Sequence, residues 1–333
     1  MMKRFFLLTL FASSFVVAEP NQRTFEFTYV AELDVPEGSG RVQMWLPYPG
    51  SDDYQDVRLL SIKSPVPTKL YQEYNYRNSM LFLSMPPDKL EGLDKLDKLR
   101  VEMSFRVIRR EHAERDFGLL EDPDGWIESS ASRWLRPDRL VPIDDFIREQ
   151  AEEVTEGKTT VVEKAKAIFD YTVDNLEYDK SGTGWGQGDI YYACDKKRGN
   201  CTDFHAVFIG FARAVGIPAK FQIGFPIPTA STGRLEAEIA GYHCWAEFYV
   251  PGFGWVPVDT SEAHLNPDKR DYFFGAHDAN RIEFTVGRDI TLNPKQSVQP
   301  LNYFIDPYAE IDGKPVRDVR RQFFYKDLGL VAE

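Results

Sequence analysis

Three residues of this chain have the types that nucleophilic attack on a carbonyl carbon requires: Cys201, His243 and Asp259. The cysteine lies in the segment GNCTD (199–203), which predicts an exposed helix start with Asn200 as the N-cap. Free N–H groups and the helix dipole stabilise a thiolate there, so we expect the pKa of Cys201 to fall from about 8.5 toward neutrality. The same N–H groups can bind an oxyanion. The alternative for Cys201 is a small buried residue at a helix start.

The spacing of His243 and Asp259 around a turn suggests that the two side chains meet. His243 lies eight residues before Pro251, and Asp259 lies eight residues after it. A hairpin centred on Pro251 would place them directly opposite each other, with Cβ atoms about 5 Å apart. A shift of one residue would instead send them to opposite faces of the sheet. In the first arrangement the histidine activates the thiol and protonates the leaving group, while the carboxylate orients the imidazole.

The elements around these residues predict two helices packed on strands. Residues 206–215 are apolar nearly all round, so this helix should be buried until Gly216 ends it. Upstream, Thr160 and Glu163 form a capping-box pair at the start of another helix, which should end before Tyr178. After Asp259, the segments 281–286 and 301–305 should be strands that complete the sheet.

The first hundred residues after the N-terminal segment alternate apolar and polar positions, which is typical of half-buried strands. Phe25, Phe27 and Tyr29 share one face of such a strand, and Val101 and Met103 share one face of another. The pattern predicts an antiparallel β-sandwich over residues 19–115, with a structural or docking role. We expect a connector at 116–155, a catalytic domain at 156–315 and a C-terminal tail at 316–333.

Four motifs in order resemble the transglutaminase-like superfamily: GNCTD (199–203), RAVGIPA (213–219), the His-x-Trp of residues 243–245, and GWVPVD (254–259). The resemblance spans about residues 161–259. It implies an α+β fold with a papain-like core, in which a helix bearing the cysteine packs on an antiparallel sheet bearing the other two residues. By that resemblance Cys201 is the nucleophile, His243 the base and Asp259 the orienting group. The superfamily includes transglutaminases, peptidases, amidases and inactive members, so membership indicates the machinery and leaves the substrate open.

Charge and the N-terminal segment indicate where the protein works. The 333 residues carry a formal net charge of −12 with no basic patch, which disfavours nucleic acid as a partner. Lys3 and Arg4, an uncharged run to Val17 and a small residue at Ala18 have the layout of a signal peptide over residues 1–18. No other run approaches the roughly 20 apolar residues of a membrane span. We therefore expect an exported protein, periplasmic or secreted, without stable membrane insertion.

A second group should donate a hydrogen bond to the oxyanion. The sequence offers three candidates for this group, all upstream of Cys201. Tyr178 ranks first because it ends the preceding helical segment, and Trp185 and Gln187 are the alternatives. The last two belong to a glycine-rich loop, residues 181–188, which fits no phosphate-binding motif and is interpreted as a mobile flap. His205 is interpreted as a core histidine rather than a group that supports the site.

The other cysteines allow two interpretations. Cys244 either forms a disulfide with Cys194 or is a buried, reduced residue that faces away from the site, since neighbours on a strand point to opposite faces. That alternation also disfavours a zinc site made of Cys201, His205, His243 and Cys244. No calcium loop is present either, so we expect no metal or other cofactor.

Together the residues predict thiol-dependent acyl transfer or hydrolysis at an amide of a protein or peptide substrate. Water as the acceptor would give hydrolysis, and an amine would give transfer, and the sequence does not choose between them. The alternative is a catalytically inactive binding or assembly module of the cell envelope.

Overall fold

The computed structural model describes residues 21–86, 98–122, 125–228 and 236–328. The predicted signal peptide, residues 1–18, lies outside the described residues. Eighteen strands occur in the part of the chain that is described: β1 (Gln22–Asp34), β2 (Val42–Tyr48), β3 (Gln55–Lys63), β4 (Thr68–Gln72), β5 (Ser79–Met85), β6 (Lys98–Arg110), β7 (His112–Ala113), β8 (Glu177–Tyr178), β9 (Arg198–Gly199), β10 (Ala219–Pro226), β11 (Glu236–Glu238), β12 (His243–Val250), β13 (Gly254–Val258), β14 (Ala276–His277), β15 (Arg281–Val286), β16 (Tyr308–Ile311), β17 (Lys314–Val316) and β18 (Arg320–Asp327).

Six α-helices lie in the same ranges: α1 (Ser129–Ser132), α2 (Asp145–Val154), α3 (Val161–Asn175), α4 (Ile190–Lys196), α5 (Cys201–Ala214) and α6 (Thr260–Leu265). The Thr160 hydroxyl accepts the Glu163 N–H, and the Glu163 carboxylate accepts the Thr160 N–H, so the predicted capping box begins α3. This helix ends at Asn175, before Tyr178 as predicted. No helix among the described residues is long and apolar enough to cross a membrane.

Two five-stranded antiparallel sheets form the predicted β-sandwich, in the orders β11–β18–β1–β6–β3 and β17–β16–β2–β5–β4. Alternate residues of each strand point inward: Phe27 on β1 pairs with Phe105 on β6, and both are fully buried. Met44 and Leu81 from the second sheet join the same apolar cluster. The period-two pattern therefore places one face of each sheet in a common core.

The segment predicted as a C-terminal tail at 316–333 contributes strand β18 to one sheet of the sandwich. Strand β18 pairs with β1 from Phe25↔Asp327 to Glu32↔Arg320. Phe323 and Tyr325 point into the core, and Arg320 forms ion pairs with Asp34 and Glu32 on the exposed side. Pairing with β18 satisfies the outer backbone groups of β1, which would otherwise form an open sheet edge.

A separate four-stranded sheet, in the order β13–β12–β10–β15, carries helix α5 on one face. Residues of β12 alternate between the two faces: Phe248 packs on Phe208 of α5, while Glu247 contacts Lys220 on the other face. Helix α5 is buried from Cys201 to Arg213, as its uniformly apolar body predicts.

Of the two strands predicted after Asp259, one is confirmed and one is wrong. The segment Arg281–Val286 is β15 and pairs with β10. The segment 301–305 makes only a single bridge, between Leu301 and Ile290. Its carbonyl groups bond to side chains instead of a neighbouring strand: Phe304 O accepts the Thr285 hydroxyl, and Ile305 O accepts the Tyr29 hydroxyl.

The sandwich and the four-stranded sheet share one hydrophobic core. Phe225 on β10 and Phe284 on β15 lie against Phe27, with ring centroids 5.1 and 5.4 Å apart. Phe225 also contacts Phe323 of the C-terminal strand at 4.2 Å. This aromatic contact fixes the sandwich against the sheet that carries the candidate site.

Candidate active site

Cys201 occupies the first position of helix α5, as predicted. The Asn200 side chain accepts the Thr202 N–H at 2.9 Å, and the Asp203 carboxylate accepts the Asn200 N–H at 2.9 Å. Only 2% of Cys201 is exposed, so the thiol lies below the surface and the prediction of an exposed helix start is wrong.

The glycine-rich loop explains why this helix start is covered. The N–H groups of Gly186 and Gly188 donate to Asp203 at 2.6 and 3.0 Å. Gly188 has φ +58°, and a Cβ there would lie 3.0 Å from the Thr202 carbonyl oxygen, so only glycine permits this approach. Arg288 donates to the carbonyl groups of Gln187 and Gly188, both at 2.8 Å. These bonds anchor residues 186–188 of the loop at the start of α5.

His243 and Asp259 are hydrogen-bonded, with Nε2 and Oδ2 2.8 Å apart. They are not directly opposite on the hairpin, however, because Ala246 pairs with Val258 and the turn is centred one residue later than predicted. The register is thus shifted by two residues, which keeps both side chains on one face because strand side chains have a period of two. Asp259 has left the strand and caps helix α6, where its Oδ1 accepts the Glu262 N–H at 3.0 Å.

The Cys201 thiol and the His243 imidazole shift each other's pKa in opposite directions. Burial opposes ionisation of the thiol, but hydrogen bonds from Cys244 and His243 and the charge on His243 outweigh it, so the pKa of Cys201 lies well below its usual range. Burial likewise opposes the charge on His243, but Asp259 and the Cys201 thiolate raise its pKa well above the usual value. The pair therefore favours thiolate and imidazolium.

Arg281 is part of the site and was missed by sequence reasoning. Its Nη1 donates to Asp259 Oδ2 at 3.1 Å, and the guanidinium lies 4.8 Å from the Trp245 ring centroid. Burial would raise the pKa of Asp259, but His243 and then Arg281 lower it well below its usual range. The sequence RIEFTV shows an ordinary strand pattern, so only the pairing of β15 with β10 reveals that Arg281 reaches Asp259.

The interpretation of Cys244 as facing away from the site is wrong. Its Sγ lies 3.8 Å from Thr202 Oγ1 and 3.8 Å from His205 Nδ1, and its thiol bonds to Cys201. Cys201 lies at the start of α5, beside the start of β12. His243 and Cys244 are therefore both near Cys201, although they point to opposite faces of that strand. Cys194, Cys201 and Cys244 are all free, so the disulfide of Cys194 with Cys244 is absent.

His205 is a buried histidine with both ring nitrogens occupied, consistent with the predicted core position. Its Nδ1 donates to the Cys201 carbonyl at 2.7 Å, and the Thr260 N–H donates to Nε2 at 3.3 Å. Burial lowers its pKa, so the ring is neutral and joins the start of α5 to the start of α6. Its role is therefore to hold the two helix starts that carry Cys201 and Asp259.

Of the three candidates for a second oxyanion donor, Tyr178 is at the thiol. Its ring lies 6.0 Å from that of Phe204, and burial together with the negative charge of Cys201 raises the pKa of its hydroxyl above the usual value. The Trp185 indole instead donates to Gly182 within its own loop, and Gln187 contributes its carbonyl to Arg288. Within the described ranges, no group of three or more His, Cys, Asp or Glu side chains could hold a metal ion.

Comparison with known proteins agrees with this fold. Residues 148–260, which include Cys201, His243 and Asp259, match the transglutaminase-like superfamily. An uncharacterized protein of Haemophilus influenzae is 32% identical over 347 residues, covering 92% of this chain and 92% of its own length. The crystal structure of a "putative cysteine protease" from Cytophaga hutchinsonii superposes with a TM-score of 0.62 at 17% identity, covering 93% of this chain and 92% of its own.

The chain belongs to the transglutaminase-like superfamily. The predicted combination of an N-terminal β-rich part with a transglutaminase-like core is confirmed, and the solved structure has the same fold over nearly its whole length.

Proposed function

We propose that this protein is an exported thiol enzyme that transfers or hydrolyses the acyl group of an amide in a protein or peptide. The observation that carries the proposal is the hydrogen bond of 2.8 Å from His243 Nε2 to Asp259, beside a Cys201 thiol whose pKa His243 lowers. A thiolate beside an imidazolium that a carboxylate orients is the arrangement that nucleophilic catalysis by cysteine needs.

In the first step, the Cys201 thiolate attacks the amide carbonyl carbon and forms a C–S bond. Tyr178, whose hydroxyl can donate a hydrogen bond, is the candidate that stabilises the developing oxyanion. His243 gives its proton to the leaving nitrogen as the C–N bond breaks. The products are an amine and a thioester on Cys201.

In the second step, His243 takes a proton from the acceptor, which is either water or an amine. The acceptor attacks the thioester carbonyl, the C–S bond breaks, and the thiolate returns. Water yields a carboxylic acid, whereas an amine yields a new amide. Asp259, supported by Arg281, stabilises the imidazolium in both steps.

A cavity of about 540 Å³ lies between the loop that precedes His243 and strands β1 and β18, and Cys201, His243 and Asp259 do not line it. It is lined by Gly241 and Tyr242, which directly precede His243, and by Asp306 and Arg321. The Asn200 side chain donates to the Tyr242 hydroxyl at 3.2 Å, which joins one lining residue of this cavity to the start of α5. Export is supported by the signal-peptide pattern at residues 1–18.

A catalytically inactive binding or assembly module is the second candidate. It is favoured by the low exposure of the site, since Cys201 is 2% and His243 7% exposed. An inactive relative would not need to keep the thiol ionised, so the two proposals differ in the chemistry of Cys201.

The decisive experiment traps the thioester. The purified chain is mixed with a peptide library, quenched in acid and digested, and the peptide containing Cys201 is examined for added acyl mass. A Cys201→Ala variant is the control. A dansylated alkylamine added to parallel reactions separates the two outcomes: its incorporation indicates transfer, and release of free acid indicates hydrolysis. The absence of any acyl adduct and of any product would support the binding module.

A further inference from the structure

A second cavity lies between the four-stranded sheet and the sandwich. It is on the face of that sheet opposite helix α5. Its volume is about 610 Å³, and it is lined by residues of both parts, among them Arg109 and His112 from the sandwich side and Lys220 and Glu247 from the sheet. Glu247 and His243 are four residues apart on β12, or about 13 Å along the strand. Trp245 lies between them and is fully buried, so the cavity is separate from the candidate active site.

Arg109 lines this cavity and forms no short-range ion pair. It is 2% exposed, its Nε has no hydrogen-bond partner, and its single bond is from Nη1 to Gln55 at 3.4 Å. Among the described residues, no carboxylate forms an ion pair with it, and Asp52, Glu283 and Glu247 act on its charge from beyond 4.0 Å. A buried cation normally has a paired charge, because removing it from water is costly. The guanidinium therefore has unused capacity for a bidentate bond to a carboxylate.

The other ionisable groups inside the cavity are either ion-paired or uncharged at pH 7. Lys220 and Glu247 form an ion pair at 2.8 Å. Burial lowers the pKa of His112 to about 4, and burial with the nearby Asp52 and Glu247 carboxylates raises the pKa of Glu283 to about 8. Arg109 is thus the cation of this cavity that forms no ion pair within 4.0 Å, and the carboxylates that act on it from farther away include Asp52. An orphaned acceptor, Gln222 Oε1, is also buried there.

The rim of the cavity carries negative charge, opposite in sign to the Arg109 guanidinium. Asp52 and Asp53 are exposed, and Glu114, with 28% of its side chain exposed, accepts the Tyr54 hydroxyl at 3.2 Å. A simple anion would have to pass these carboxylates, while a ligand with an ammonium group would be attracted by them. Tyr54 and Trp255 add aromatic surface between the rim and the interior.

We propose that this cavity binds a zwitterion of the amino-acid or short-peptide class, with its carboxylate on Arg109 and its ammonium group among the rim carboxylates. The site does not use Cys201, so it stands independently of the proposed catalytic function. The observations that carry it are the unpaired buried guanidinium, the acidic rim and the aromatic wall, all lining one cavity.

The test uses three probes with one phenyl body: L-phenylalanine, its amide, which lacks the carboxylate, and 3-phenylpropionate, which lacks the ammonium group. Binding to the full chain is measured by isothermal titration calorimetry at pH 7 and low salt. We expect L-phenylalanine to bind at least tenfold more tightly than either of the other two. Equal binding of the amide, or of 3-phenylpropionate, would overturn the proposal, as would no binding of L-phenylalanine up to about 10 mM.

Variants locate the site. Arg109→Gln should weaken L-phenylalanine binding at least tenfold, while Arg106→Gln, an exposed position on the same strand, should leave it unchanged. Because Arg109 is buried, its variant is compared with Glu114→Gln on the rim, which should weaken L-phenylalanine but not 3-phenylpropionate. The Cys201→Ala variant should bind L-phenylalanine as the parent does. Binding that is insensitive to both Arg109→Gln and Glu114→Gln, or that disappears in Cys201→Ala, would overturn the assignment.

Discussion

Two regions along strand β12 differ in how closely their buried charges are paired: the candidate active site around His243 and the cavity around Glu247. At His243 the charges are matched at short range: Asp259 lies 2.8 Å from the imidazole and accepts Arg281 at 3.1 Å. In the cavity around Glu247, the Arg109 cation has no ion-pair partner among the described residues. A nearby opposite charge stabilises one protonation state of a buried group. A buried charge without a short-range partner can instead pair with a charged group of a ligand.

Histidines show the same contrast. His243 is held cationic by a carboxylate and a thiolate, although it is buried. His112 is also buried, and its carboxylate neighbours are farther away, Glu114 at 3.5 Å and Glu247 at 3.6 Å. Burial therefore dominates there and lowers the pKa to about 4. A difference of less than 1 Å in the distance to a carboxylate thus accompanies opposite protonation states at neutral pH.

The largest expected effect in the matched region is the loss of activity in Cys201→Ala. We expect turnover to fall by at least about 10³-fold, because no other group forms the C–S bond. The circular dichroism spectrum should stay that of the parent, since alanine also suits the first position of a helix. Cys194→Ala is the matched control and should retain activity. More than a few per cent residual turnover in Cys201→Ala would show that this residue is not the nucleophile.

Asp259→Asn should have the next largest effect. Removing the charge that orients and stabilises His243 should raise the barrier by about 2–4 kcal/mol, or roughly 30- to 1000-fold in kcat/KM. Asp278→Asn is the control, because Asp278 also pairs with Arg281, at 3.5 Å, but has no contact with His243. Equal losses in the two variants would mean that Arg281, and not His243, is the group that matters.

Asp259→Asn should also reveal how the contribution of the Asp259 carboxylate to the free energy of unfolding depends on pH. The folded-state pKa of Asp259 is lowered, so its stabilisation is present above the unfolded value of about 3.9 and is lost as the pH falls through the folded pKa. The difference in free energy of unfolding between parent and Asp259→Asn should therefore shrink below about pH 4. Urea denaturation at several pH values measures it, and a difference that grows toward acid would contradict the lowered pKa.

His243→Ala should move the alkylation profile of Cys201 to higher pH. In the parent, iodoacetamide should react well below pH 8.5, because the pKa of the thiol is lowered by its neighbours. Without the imidazolium the apparent pKa should rise toward or above that value. Rates at Cys201 are followed by mass spectrometry from about pH 5 to pH 9, with His264→Ala as the control. Identical curves for parent and His243→Ala would exclude a cysteine–histidine pair and favour the binding module.

Cys244→Ala should shift that profile in the same direction but by less. The thiol of Cys244 bonds to Cys201 and stabilises its thiolate, although it carries no charge. Cys244→Ser keeps a donor and should restore part of the parental profile. A profile that does not move in Cys244→Ala would show that the contact has no effect on the thiolate.

The smallest expected effect is that of Glu247→Gln on the alkylation profile. This residue belongs to the second region, about 13 Å along β12 from His243, behind the buried Trp245 ring. The profile should coincide with that of the parent, even though the Lys220 ion pair is lost. A shift comparable to that of Cys244→Ala would mean that the two charged regions are coupled.

Local patterns in the sequence were sufficient where a residue's neighbours in the chain determine its structure. The start of α5 at Cys201, with Asn200 and Asp203 as caps, depends on backbone groups within three residues. The capping box of α3 and the alternation of β1 depend on equally short spacings. The pairing of His243 with Asp259 was found because the shift of two residues in register keeps the side chains on one face.

Tertiary packing alone decided which distant groups surround the thiol and which charges stay unmatched. Cys244 reaches the start of α5 because that helix begins beside the start of β12, a geometry that strand alternation does not specify. Arg281 meets Asp259 through the pairing of β15 with β10, and Arg109 lies unpaired because β6 and β10 come from separate sheets. Sequence patterns carry the period of an element, but distances between elements depend on how their side chains fill the common core.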